Sequence, residues 1–128
     1  PCLYYGSERG MEGKKNWNDT ALRPAVEALE WNELTDWIHT LIDIHHALRP
    51  LYEGSYRQVA LTNTACVYAR ELDGETVWTA INLDDSPVDL GVDFQAECVD
   101  WLADSQPVFV DWCVQIPAKG AMILTKKS

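Results

Sequence analysis

The first six residues, Pro1-Cys2-Leu3-Tyr4-Tyr5-Gly6, form an apolar and aromatic run with no polar alternation. Such a run suits a strand buried on both faces, and a strand of that kind belongs inside a parallel sheet with neighbours on either side. From Gly6 to Trp31 the periodicity disappears. Gly6, Gly10 and Gly13 punctuate a polar stretch, and Arg23-Pro24 argues against helix at Arg23. Connections in compact domains have a median of roughly 4–6 residues, and far longer ones are commonly functional, so this loop is where function is sought first. An amphipathic helix follows. Asn32 is its expected N-cap, and Leu34, Trp37, Ile38, Leu41, Ile42, His45 and Leu48 recur at three- and four-residue spacing until Arg49-Pro50 stops it. Strand, loop and helix together read as one unit of a β/α repeat whose other strands the remaining residues do not supply. A piece of a longer protein is therefore expected, and the only methionines, Met11 and Met122, fit that expectation.

Beyond Gly54 the pattern changes to short β-type runs: Tyr56–Leu61, Cys66–Leu72, Glu75–Leu83, Cys98–Leu102, Val108–Ile116 and Ala121–Thr125. Asp73-Gly74 between two apolar runs is a two-residue hairpin signal, and Pro117-Ala118-Lys119-Gly120 marks a second tight turn. Strands at this spacing predict an antiparallel β-sandwich.

The 128 residues suffice for one full domain, and 47% hydrophobic against 23% charged residues excludes disorder and low-complexity classes. With 20 acidic against 10 basic residues the formal charge is −10. That balance repels polyanions, so neither nucleic acid nor an anionic membrane is an expected partner. No apolar run has the roughly 18–20 residues of a membrane span. Cys2, Cys66, Cys98 and Cys113 show no CxxC spacing. They read as core thiols in a reducing compartment, with a Cys98–Cys113 bridge left open.

Five stretches, in order, resemble the C-terminal end of the α-amylase superfamily of glycoside hydrolases. Pro1-Cys2-Leu3-Tyr4-Tyr5-Gly6-Ser7-Glu8 is similar to the family's eighth barrel strand, P-x-[IL]-Y-Y-G-x-E, and Asn18-Asp19-Thr20-Ala21-Leu22-Arg23-Pro24 to the N-D-x-x-x-R segment after it. Leu41-Ile42-Asp43-Ile44-His45-His46-Ala47-Leu48 resembles the last barrel helix, with His45 where the family often has Arg. Val77-Trp78-Thr79-Ala80-Ile81-Asn82-Leu83 resembles a strand of the family's C-terminal sandwich, and Ile116 to Leu124 its closing L-P-x-x-G hairpin. The wording Ser7-Glu8-Arg9-Gly10-Met11-Glu12-Gly13 is most similar to the cyclomaltodextrinase, neopullulanase and α-glucosidase group.

The resemblance implies a mainly β chain: the last strand, long loop and helix of a (β/α)8 barrel in residues 1–50, then an antiparallel Greek-key β-sandwich in residues 51–128. It also implies a parent enzyme, cytoplasmic on the cysteine reading above, that hydrolyses α-glucosidic bonds of an α-glucan or maltooligosaccharide with retention, through two carboxylates about 5–5.5 Å apart. Those carboxylates lie upstream in the family. No residue here is assigned to catalysis, and the isolated chain is expected to be inactive. The alternative is an independent sandwich module that binds carbohydrate or a partner protein.

For the site, the resemblance assigns Asp19 and Arg23 to sugar hydroxyls on the non-reducing side of the cleaved bond. Without it, the two read as an exposed ion pair. Trp17 in the same loop is a candidate for stacking on a sugar ring, while Trp31, Trp37, Trp78, Trp101 and Trp112 read as core or anchoring residues. Glu8 and Glu12 read as structural or solvated carboxylates, not an acid/base pair. His39, Asp43 and His46 have the residue types and spacing of a metal site but lie on a polar helical face, which suffices to explain them. No metal or cofactor is expected. The expected partners are the rest of the barrel, the oligosaccharide, and a second copy paired through the exposed N-terminal strand.

Overall fold

The computed structural model describes residues 2–15, 17, 19–23, 25, 30–95, 97–103 and 105–127. Two compact units divide the chain, Pro1–Ile44 and His45–Ser128. In the first, Cys2 to Tyr5 are exposed and have no ladder partner among the described residues. The strand expected from the opening run does not form among these residues. Gly6 and Gly10, both at positive φ (84° and 69°), bracket the 3-10 turn Ser7–Arg9. The φ of 84° is what calls for glycine at Gly6, and a Cβ there would also lie 3.0 Å from Met11 Cβ.

Helix α1 (Glu33–Ala47) starts where its cap was expected. Asn32 Oδ1 accepts the Thr35 N–H at 3.1 Å while Thr35 Oγ1 accepts the Asn32 N–H at 3.3 Å, a reciprocal cap. The same two side chains tie the helix to the 3-10 turn, with Thr35 Oγ1 donating to the Glu8 carbonyl at 2.7 Å and Asn32 Nδ2 to the Arg9 carbonyl at 3.0 Å. The apolar stripe is present but open: Leu34, Trp37 and Ile42 are exposed.

Helix α1 ends ahead of Arg49-Pro50 as expected, and Pro50 opens a separate short helix α2 (Pro50–Glu53), where its missing N–H costs nothing. The strands are β1 (Ser55–Leu61), β2 (Ala65–Leu72), β3 (Glu75–Asn82), β4 (Val88–Gly91), β5 (Cys98–Asp100), β6 (Phe109–Val110), β7 (Cys113–Ile116) and β8 (Ala121–Lys126). A five-stranded sheet in the order β1-β2-β3-β8-β5 and a three-stranded sheet β4-β7-β6 are antiparallel throughout. The protein is mainly β. Asp73 at φ 52° and Gly74 at φ 84° form the expected hairpin turn, and the β2–β3 register runs from Leu72↔Glu75 to Ala65↔Asn82.

Between the sheets lie Val67, Ala69, Ala80, Leu90, Val114, Ile116 and Leu124, with Trp78 stacked on Phe94 at 4.0 Å between ring centroids. Helix α2 covers the outer side of β2 and β3, and β3 is accordingly buried on both faces from Val77 to Ala80.

Three expectations need correction. Val108–Ile116 is not one strand but the hairpin β6–β7, turning at Asp111-Trp112 with φ of 48° and 62°. The Pro117–Gly120 turn closes no hairpin, because β7 and β8 belong to different sheets. All four cysteines are free, so no Cys98–Cys113 bridge forms; Cys98 is buried, and burial pushes its thiol pKa up against the pull of Lys126.

Candidate functional site

The site foreseen in the sequence falls on one 3-10 turn of the first unit, Thr20–Leu22. Asp19 precedes it, its carbonyl accepting the Leu22 N–H at 3.0 Å, and Arg23 follows it, its N–H donating to the Thr20 carbonyl at 3.2 Å. Both side chains are exposed, so the turn presents a carboxylate and a guanidinium one turn apart. No ion pair among the described residues joins them. Gly13 sets the position of this turn. A Cβ on it would lie 2.7 Å from the Ala21 carbonyl oxygen, so only glycine lets the two limbs of the loop approach.

Arg23 is near enough to Tyr5 for its charge to act on the phenol. Desolvation, with Tyr4's charge and hydrogen bond adding, raises the Tyr5 pKa, and Arg23 opposes the rise. The Tyr4 and Tyr5 rings lie 4.7 Å apart. Two adjacent phenols beside an exposed guanidinium supply donors, acceptors and ring faces, the groups that hold a polyhydroxylated ligand. They supply no nucleophile paired with a base.

Trp17 is 93% exposed and stacks on no aromatic ring among the described residues. Trp31 differs: its Nε1 donates to Asp36 Oδ1 at 2.6 Å, Arg9 lies 5.2 Å over its ring, and the His39 ring is 5.9 Å away. It is an anchor. Glu12 is exposed, and Glu8 is held through its carbonyl. His39 Nδ1 lies 3.1 Å from Asp43 Oδ2 on the exposed helix surface, and no cluster of metal-ligating side chains occurs among the described residues. His45, standing where the resembled family often has Arg, stacks on Tyr52 at 5.5 Å. Desolvation, with the charges of His46 and Arg70 adding, lowers its pKa.

The tryptophans expected in the core divide. Trp78 is buried, but Trp37, Trp101 and Trp112 are exposed. Trp112 lies beside an open groove between β1 and β4 that the sequence reading passed over. Alternation at Val88, Leu90, Val92 and Phe94 was the signal for strand β4 on that groove's edge.

No family model and no curated protein matches the sequence. Solved structures do match. The α-amylase from Geobacillus thermoleovorans, complexed with acarbose, aligns at 19% identity with a TM-score of 0.79, over 98% of this chain and 29% of that one. AmyP in complex with maltose aligns at 19% identity and 0.74, over 96% and 30%. CldA, a cyclomaltodextrin glucanotransferase with a three-domain ABC distribution, aligns at 16% identity and 0.73, over 98% and 29%. The likeness runs through both units, and this chain has the fold of a section spanning 29–30% of the length of these α-amylase-family enzymes.

Proposed function

We propose that the chain is the C-terminal section of a retaining hydrolase of α-glucosidic bonds acting on an α-glucan or maltooligosaccharide in the cytoplasm. Residues 1–50 supply the last strand, a substrate loop and a helix of its (β/α)8 barrel, and residues 51–128 a stabilising sandwich. The observation that carries this reading is the fold match over 98% of the chain at a TM-score of 0.79, because an independent sandwich module would match over residues 51–128 alone. Loops at the C-terminal ends of barrel strands hold substrate, and the loop after Gly6 is one of them on this reading. The exposed Leu3, Tyr4, Tyr5, Leu34, Trp37 and Ile42 are then the surface that the rest of the barrel covers, and in its absence a second copy pairs there through the N-terminal strand.

Within the parent, Asp19 and Arg23 hydrogen-bond sugar hydroxyls two or three units to the non-reducing side of the cleaved bond, and Trp17 stacks beside them. Hydrogen bonds to charged groups contribute about 1.5–3 kcal/mol, and an exposed ion pair about 0.2–1 kcal/mol. Asp19→Ala in the parent is therefore expected to lower kcat/KM on long maltooligosaccharides by roughly 10- to 100-fold, at about 1.4 kcal/mol per tenfold, and to spare substrates too short to reach. Equal losses on short and long substrates would assign Asp19 to loop structure instead.

A further inference from the structure

In the second unit the edge strand β1 of one sheet approaches the edge strand β4 of the other, and a groove of about 440 Å³ lies beside them. Three of its features are ones the fold does not require. The β6–β7 hairpin turns through two non-glycine residues at positive φ, Asp111 and Trp112, where a turn of this kind ordinarily takes Asn-Gly. A bulky residue in the left-handed region is disfavoured, and such outliers concentrate at functional sites. The turn is held by the Val92 N–H, which donates to the Trp112 carbonyl at 2.8 Å. The indole itself is 57% exposed and has no hydrogen-bond or ring partner among the described residues. Trp101 shows the contrast, since its Nε1 donates to Thr125 Oγ1 at 2.9 Å.

Gly91, the second feature, weakens a strand by its presence, yet its φ is not positive and a Cβ on it would meet nothing within 4 Å. Nothing among the described residues requires a glycine there. Gly91 lines the groove. A glycine without an internal reason fits a place where a ligand approaches the backbone. Third, β1 departs from regular pairing between Gln58 and Ala60, at the groove wall. Arg57 beside it pairs through Nη1 with Asp93 Oδ2 and through Nη2 and Nε with Glu71 Oε1, at 2.7 and 3.2 Å. Asp93 is thereby fixed in place with its Oδ1 accepting no hydrogen bond among the described residues, and Asp111 and the Gln58 amide are exposed nearby.

We propose that this groove is a second carbohydrate site, seating one or two glucose residues of an α-glucan chain with the apolar C–H face of a pyranose on Trp112. Asp93, Asp111 and Gln58 meet the hydroxyl rim, which carboxylates and amides bind as acceptors and, for the amide, as donor. Two carboxylates exclude a phosphorylated ligand, and a single open indole is not the enclosing cage that a quaternary ammonium group takes. The pyranose rests on the groove alone. Its α-linkage rests on the function proposed above.

The test is an NMR titration of the full 128-residue chain with maltoheptaose and, in parallel, cellohexaose, following the backbone amides and the indole N–H groups. Maltoheptaose is expected to shift Trp112 and its neighbours on β1 and β4. Trp112→Ala should weaken that binding at least tenfold. Gly91→Val should do the same while leaving the melting temperature unchanged or raised, because a β-branched residue suits a strand and fills the space the sugar needs. Gly91→Val that binds as the parent does, no shifts at the groove, or salt-sensitive binding of a lysine-rich peptide there in place of sugar would each overturn the site. Cellohexaose bound at the groove and maltoheptaose refused would overturn the α-linkage, and with it the support this site lends to an α-glucan parent. Loss of the groove proposal alone leaves the Asp19 experiment on the parent to decide that reading.

Discussion

Asn82→Ala is expected to lower the stability of the sandwich by about 3–4 kcal/mol, read as a fall in the urea midpoint of the 128-residue chain at unchanged slope. Asn82 is 1% exposed at the end of β3. Its Nδ2 donates to the carbonyls of Ser86 at 2.9 Å and Pro117 at 3.0 Å, and its Oδ1 accepts the Asp84 N–H at 2.8 Å. One side chain thus fastens both the β3–β4 and the β7–β8 connections, two of the places where the chain changes sheet. Alanine leaves three backbone groups without their partner, each worth about 1 kcal/mol when the bond is made and more when it stays buried and unmade. Asn82→Asp keeps the acceptor, loses both donors and places a carboxylate against two carbonyl oxygens, so it should destabilise at least as much. A loss below about 1 kcal/mol for both variants would mean that the two connections hold without this residue.

Trp78→Ala is expected to cost about 3–5 kcal/mol, and Trp78→Phe much less. The ring is 3% exposed and stacks on Phe94, which meets Phe109 edge-on at 5.5 Å, so truncation removes the largest ring of the aromatic cluster. The indole Nε1, however, is buried with no hydrogen-bond partner among the described residues. An unpaired buried N–H costs about 1–3 kcal/mol, and phenylalanine removes it, offsetting much of the lost volume. Equal destabilisation by alanine and phenylalanine, measured by thermal unfolding, would mean that the Nε1 group is satisfied in solution.

Much of this was legible because the signals were local. Asp73-Gly74 between two alternating runs fixes a two-residue turn, and with it the register of β2 on β3, since a slip by one residue would reverse every side chain of strands with committed faces. Asn32 could be read as a cap because its capping hydrogen bonds with Thr35 lie within three residues. The β6–β7 turn was not legible. Asp111 tolerates positive φ but Trp112 stands where such a turn wants glycine, so Val108–Ile116 reads as one strand until the pairing Val110↔Cys113 is seen. Sheet membership of β7 and β8 is likewise a tertiary fact, to which Pro117–Gly120 gives no clue beyond a turn. The loop bearing Asp19, Arg23 and Trp17 announced itself by its length. The groove at Trp112 did not, because it joins residues from β1, β4 and a hairpin that are distant in sequence.

The central claim is that this chain completes a retaining α-glucan hydrolase whose catalytic carboxylates lie before Pro1. It is tested most directly by following, by proton NMR, the anomer first released from maltopentaose. The comparison is between the 128-residue chain and the polypeptide read from the same frame extended upstream by about 250–350 residues, the size of the remaining barrel. The account predicts no turnover by the chain alone, and release of the α-anomer first by the extended polypeptide, as a double displacement requires. Turnover by the purified 128-residue chain, or an extended polypeptide that is inert or releases the β-anomer first, would contradict it.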